Sequence, residues 1–185
     1  MRTNEAHVAL SSTIYNVNVD LSDADRDVYE ALDLRVARHP SESEEYFVSR
    51  LLAYCLEYRE GITFSRGLSD SDEPPIAIRD LTGVMRAWID VGTPSGDRLH
   101  RAMKSTGRVA VYNHKDSTQW LAGLASARIH RADELELYAL DRSLVAPLAA
   151  RLERRMSLAM AVADQDIYLS FAEGTLQGTV TRQRI

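Results

Sequence analysis

The sequence predicts an α/β domain with a mixed sheet, and three observations carry that prediction. Segments with period-two alternation recur along the chain. Amphipathic helical segments separate them. The stretch VMRAWIDV, residues 84–91, is apolar on both faces toward its end, as a central strand should be. The expected order is β-β-α-β-β-β-α-β-α-β-α-β-β, in one domain covering 1–185.

The first two strands are VALSSTIYNVNV (8–19) and DVYEALDLRVARH (27–39), an antiparallel pair around the Asp-rich DLSDADRD. A helix follows within 40–61. Its apolar residues at 47, 51, 54, 55 and 58 lie on one face, Ser41 and Glu44 have the spacing of a capping box, and Gly61 marks its end. The chain then begins extended at ITF and passes a loop holding Asp70, Asp72, Glu73 and the Pro74-Pro75 pair, which breaks regular structure. IAIRDL (76–81) and 84–91 read as neighbouring strands joined around Thr82-Gly83. In the second, Met85, Ala87, Ile89 and Val91 share one face, while Val84, Arg86, Trp88 and Asp90 share the other.

Residues 92–107 supply a turn and a helix stopped at Gly107, and RVAVYNH (108–114) is a short strand. STQWLAGLASARIHRA (117–132) reads as an amphipathic helix with a Ser or Thr cap, and LELYAL (135–140) as a strand. DRSLVAPLAARLERR (141–155) is helical, with Pro147 in a first turn or at a kink. The remainder forms two or three strands with turns at Asp164-Gln165 and Glu173-Gly174.

Composition narrows the function classes. The net charge of −5 argues against a protein that coats nucleic acid by bulk attraction. The charge is uneven: residues 1–90 carry 9 Arg and 17 Asp plus Glu, whereas 91–185 carry 13 Lys plus Arg and 10 Asp plus Glu. An acidic half suited to metal thus adjoins a mildly basic half suited to phosphate. No apolar run approaches the roughly 18 residues that cross a bilayer, so no membrane association is expected. MRTNEAHVAL has no basic-then-apolar leader pattern, which makes the expected location cytoplasmic. The single cysteine, Cys55, lies among apolar residues and reads as core filler.

Asp90, between Ile89 and Val91, is the residue that asks for a role, because an ionised carboxylate in a core needs a partner. Asp80 precedes it by ten residues across a hairpin-like pair and, depending on register, comes close. Two carboxylates so placed share a proton or a divalent cation, and Mg²⁺ or Mn²⁺ suits oxygen ligands of this kind. Glu42 is a third candidate, although an acid at a helix N-terminus is also explained by the dipole. Arg98, Arg101 and Lys104 form a slanting cationic stripe on the next helix. That stripe suits a phosphoryl group beside a metal, and equally a solvated helix face. Without a metal, Asp90 is the buried mate of a nearby Arg.

Several motifs carry a family resemblance: ARHPSE (37–42), RLLAY (50–54), ITFSRGLSDSDEP (62–74), RDLTG (79–83), WIDVGTP (88–94) and RLHRA (98–102). In order and spacing they resemble the YaeQ family, a variant of the PD-(D/E)XK nuclease fold, and the likeness spans nearly the whole chain. It implies a restriction-endonuclease-like core with extra N-terminal and C-terminal strands. It also implies Asp80 and Asp90 as metal-binding catalytic acids, Glu42 as an acid from the first core helix, and Asp72 and Glu73 as an outer shell. Where the motif's Lys belongs stands Gly92, and the migrated cation of the following helix is Arg101, with Lys104 one turn on. Arg holds charge but does not serve as a base. Two functions follow: an Mg²⁺- or Mn²⁺-dependent nuclease, or a nuclease-like scaffold that no longer cuts and binds nucleic acid or a protein partner.

Overall fold

The computed structural model describes residues 11–65 and 72–185. Expectations that fall on residues 8–10 and on Asp70 lie outside them. Ten strands form one sheet: β1 (Thr13–Asp23), β2 (Val28–Arg38), β3 (Ile62–Phe64), β4 (Ile76–Arg79), β5 (Met85–Val91), β6 (Val109–Asn113), β7 (Glu136–Leu140), β8 (Arg155–Ala163), β9 (Asp166–Phe171) and β10 (Gly174–Gln183). Four α-helices join them: α1 (Glu44–Leu56), α2 (Gly96–Ser105), α3 (Thr118–Ser126) and α4 (Arg142–Ala150). The spatial order is β2-β1-β8-β9-β10-β7-β6-β5-β4-β3. The sheet is mixed and curls until it is nearly closed: β1/β8, β5/β6 and β6/β7 are parallel, and the other neighbours antiparallel.

The expected element order is present, with three strands at the C-terminus. The alternation in β1 is strict, with Tyr15, Val17, Val19 and Leu21 inward and buried and the residues between them exposed. The tight turn between β8 and β9 is Asp164-Gln165, both with positive φ (54° and 69°), as a two-residue hairpin of matching twist requires. β5 lies between β4 and β6, and its two faces enter different cores. Ala87, Ile89 and Val91 join the larger core around α1 and α4; Trp88 joins the smaller one under α2 and α3.

Helix α1 differs from its expectation in two ways. Its cap is Ser43, whose Oγ accepts from the Tyr46 amide, rather than Ser41, which instead bonds His39. The Glu42 amide donates to the His39 carbonyl and its carboxylate accepts from the His39 amide, so a local turn occupies 39–42 and the helix begins two residues later. Furthermore, its burial is not confined to one face: every residue from Phe47 to Leu56 is buried, including Ser49 and Arg50. The sheet wraps around the helix, which leaves no solvent side. α3 is shorter than expected, and α4 carries Pro147 as its sixth residue, ending at Ala150. α4 lies close on β10 because position 178 is glycine: a Cβ there would fall 2.6 Å from that of Leu144.

Candidate functional site

Asp90 projects from the C-terminal end of β5 on the face covered by α2, and is only 3% exposed. Its Oδ2 accepts from Arg98 Nε at 2.7 Å and from the indole Nε1 of Trp88 at 3.0 Å. The short connection from β5 to α2 builds this contact. The chain turns at Gly92 (φ +82°), Ser95 caps α2 by accepting from the Arg98 amide, and the first helical turn drops Arg98 back over the strand end. The guanidinium lies 5.0 Å above the Trp88 ring and its Nη2 donates to the Glu73 carbonyl at 2.9 Å. Arg98 therefore joins β5, α2 and the loop before β4. A Cβ at position 92 would meet the Tyr46 ring of α1 at 3.8 Å, an ordinary contact, so it is the positive φ and not space that calls for glycine there. Burial, then the Asp90 charge, pushes the Tyr46 hydroxyl up to about 12.

Asp80 lies elsewhere. Arg79 is paired with Met85 at the turn end of the β4–β5 hairpin, and Ile76 with Ile89 at the other. Asp80 and Asp90 are thus separated by five residues of strand, about 16 Å at ~3.3 Å per residue. They cannot ligate one ion, which corrects the expected proximity. Asp80 organises the turn: its Oδ1 accepts from the Thr82 hydroxyl (2.6 Å), the Thr82 amide (2.9 Å) and the Val84 amide (3.0 Å), and its Oδ2 from Arg86 Nε (2.7 Å). The Thr82 hydroxyl first, with Arg86 and the amides, holds its carboxyl down to about 2.

Glu42 is buried (5% exposed) and closes against Arg50 of α1, whose Nη2 lies 3.1 Å from each carboxylate oxygen. Arg50 also donates to the Ala37 carbonyl of β2 and sits over the Phe47 and Phe64 rings, so the pair spans the opening between β2 and β3. Burial raises the Glu42 carboxyl above its ordinary value despite Arg50. Arg101 and Lys104 point into solvent from α2, and neither bonds to Asp90. The inward face of that helix is Leu99, Ala102 and Met103, with Arg98 at its edge. Asp72 and Glu73 are exposed and precede β4, at the end of the hairpin where Asp90 lies.

Among the described residues no three His, Cys, Asp or Glu side chains converge as metal ligands. Mg²⁺ demands near-octahedral oxygen at about 2.1 Å. An Asp already bonded to Arg and Trp, a Glu locked to Arg, and an Asp at the far end of a hairpin do not fit it as arranged.

Two other groups have no functional role in the sequence reading, in which His114 is a surface or capping residue; the structure buries it. His114 follows β6, is 3% exposed, and among the described residues has no hydrogen-bond partner at either ring nitrogen. Burial, with Lys115 and Arg142 and against Glu45, lowers its pKa. At the opposite end of the parallel strands, Arg108 binds Glu57 through Nη1 and Nη2 (2.7 and 2.9 Å) and Glu136 through Nε and Nη2 (3.0 and 2.6 Å). Tyr112 and Tyr138, stacked at 4.9 Å, donate their hydroxyls to Glu57 and Glu136 respectively. Burial opposes the Arg108 charge, but the two carboxylates outweigh it and raise its pKa. The one available sequence signal was Glu57 itself, an acid at the C-terminal end of a helix, where the dipole disfavours it.

The structure and the sequence have close counterparts. The crystal structure of the YaeQ protein from Pseudomonas syringae superposes with a TM-score of 0.85 at 29% identity, covering 94% of this chain and 97% of that one. The YaeQ protein from Xanthomonas axonopodis pv. citri gives 0.84, also at 29% identity, with 94% and 99% coverage. Proteins described as uncharacterized YaeQ from Escherichia coli (strain K12) and Salmonella typhi are 32% and 34% identical over 176 residues, covering 94% of this chain and 97% of each relative. The profile of the family described as YaeQ protein matches residues 8–180, and with that span the chain belongs to the YaeQ family.

Proposed function

We propose that this chain is a nuclease-like scaffold that acts by binding and does not cut. The nuclease-like portion in this reading is α1, β3, β4, β5, α2 and β6, with β1–β2 and β8–β10 as additions. The observation that carries the proposal is the Arg98 guanidinium on Asp90: the one acid at the end of the central strand is neutralised by a cation from its own chain at 2.7 Å. Gly92, where the motif would place a lysine, adds no proton-transferring group. The test is calorimetric titration of Mn²⁺ into metal-stripped protein beside Asp90→Asn, followed by a cleavage screen on DNA and RNA with Mg²⁺ and Mn²⁺. No metal-dependent turnover is expected. Cleavage that Asp90→Asn abolishes would overturn the proposal.

One observation favours a second reading, an Mg²⁺- or Mn²⁺-dependent phosphodiesterase. Asp72 and Glu73 enter at the same end of the hairpin as Asp90, and Arg98 already ties the Glu73 carbonyl to Asp90. In that reading Asp72 or Glu73, rather than Asp80, would accompany Asp90. The same titration separates the two readings: Mn²⁺ binding lost in both Asp90→Asn and Glu73→Gln favours the second.

A further inference from the structure

Among the described residues, the cations on the outer side of α2 have no partner in a hydrogen bond or ion pair. Residues 96–131 carry seven Lys and Arg against two acids, Asp97 and Asp116, so this segment is +5 in a chain of net charge −5. Three of the seven are committed: Arg98 to Asp90, Arg108 to Glu57 and Glu136, and Arg131 to Glu134 and the carbonyls of Met103 and Thr106. Arg101, Lys104 and Arg128 are exposed and make no hydrogen bond or ion pair among the described residues.

They belong to one surface because residues 127–131 run alongside α2. Glycine at 96 permits the approach at one end, where a Cβ would lie 2.7 Å from that of Ala127. Further along, the His130 amide donates to His100 Nδ1 at 3.2 Å with the two rings 6.5 Å apart, and Arg131 closes the far end on Met103 and Thr106. Arg101 and Lys104 are i, i+3 neighbours on the helix, and Lys104 is four residues beyond His100. The strip therefore presents Arg101, Lys104 and Arg128 around a His100–His130 pair.

Resting on the binding reading above, we infer that this α2 face docks the phosphodiester backbone of a nucleic acid. A protein partner would need an apolar centre to its interface. Among the described residues the exposed large apolar side chains, Ile14, Tyr29, Leu81, Val84, Tyr168 and Ile185, all lie outside 96–131. A polar, cationic and well-hydrated strip matches phosphate instead, and releases counterions when it binds. The binding surface is then the outside of α2, and the acidic hairpin end keeps Arg98 turned inward.

The test uses the full chain and fluorescence anisotropy with a labelled oligo(dT), the same length of RNA, and a duplex. Wild-type protein should bind at least one of them, with affinity falling steeply between about 50 and 200 mM salt. Arg101→Glu with Lys104→Glu should weaken binding more than tenfold and reduce the log–log salt slope by about 2. Asp97→Asn, which removes the acid four residues before Arg101, should strengthen binding, a gain that misfolding cannot produce. Arg182→Glu with Arg184→Glu at the C-terminal strand should leave it within twofold. No salt-dependent binding by the wild type, an equal loss in the Arg182/Arg184 pair, or binding only to anionic vesicles would each overturn the inference. None of these results bears on cleavage, so the two proposals fail separately.

Discussion

The two ends of the parallel strands each hold a buried carboxylate on an arginine, one tied among core elements and the other to an exposed loop. At the β6–β7 start, one guanidinium spends four nitrogen–oxygen contacts on Glu57 and Glu136, and two tyrosine hydroxyls complete the carboxylates. At the β5 end, Arg98 meets Asp90 through one short and one long contact and also donates to the Glu73 carbonyl of the loop before β4, while Trp88 supplies Asp90 with a further donor. The first arrangement ties α1, β6 and β7 together and has little freedom. The second joins a strand end to an exposed loop and can be rearranged by anything that competes for Arg98. A network closed among core elements is a structural joint; one that reaches an exposed loop is where a binding event can act.

Arg108→Ala should produce the largest effect, because it leaves Glu57, 3% exposed, and Glu136 without their counter-ion. A loss on the order of 3–5 kcal/mol is expected, read from denaturant unfolding. Arg108→Lys should recover only part of it, since an ammonium cannot bridge two carboxylates in this planar geometry. If Arg108→Ala unfolds like wild type, the contrast between the two ends fails.

A smaller loss, about 2 kcal/mol, is expected for Arg98→Ala, where the strand end borders solvent and water can replace one donor. Protease sensitivity of the loop before β4 should rise in that variant, because the Glu73 carbonyl loses its tie. A larger loss than in Arg108→Ala would reverse the ranking.

His114 adds a pH dependence to the Asp90 end. Its folded pKa is lowered, so the neutral imidazole favours the folded chain. The associated stability is complete above the unfolded value, near 6.5, and is lost as the pH falls below it. His114→Gln should flatten the stability curve just below pH 6.5, and an unchanged slope there would assign the effect to another group.

The smallest effect is that of Asp80→Asn, in a solvent-facing turn. Its carboxyl is held at about 2, so its contribution is present above the unfolded value near 3.8 and lost as pH falls toward 2. At neutral pH the variant should lose less stability than Arg98→Ala, and hydrogen exchange should quicken chiefly at the Thr82 and Val84 amides.

Element order and the two-faced character of β5 are legible in the sequence, since both rest on local periodicity and turn chemistry. The Asp164-Gln165 turn, the Ser95-led α2 and the alternation of β1 need no distant partner. Even the separation of Asp80 and Asp90 was latent there: once 76–81 and 84–91 form a hairpin around Thr82-Gly83, an acid ending one strand and an acid near the end of the next lie at opposite ends. The apolar Leu99, Ala102 and Met103 likewise turn Arg101 and Lys104 outward. Distant packing, by contrast, places β1 beside β8, encloses the buried run of α1, and lets Arg108 gather Glu57 and Glu136 from 51 and 28 residues away. These are choices among pairings that the local pattern satisfies equally well. Long-range packing settles them, because which carboxylate loses its water depends on which elements close over it.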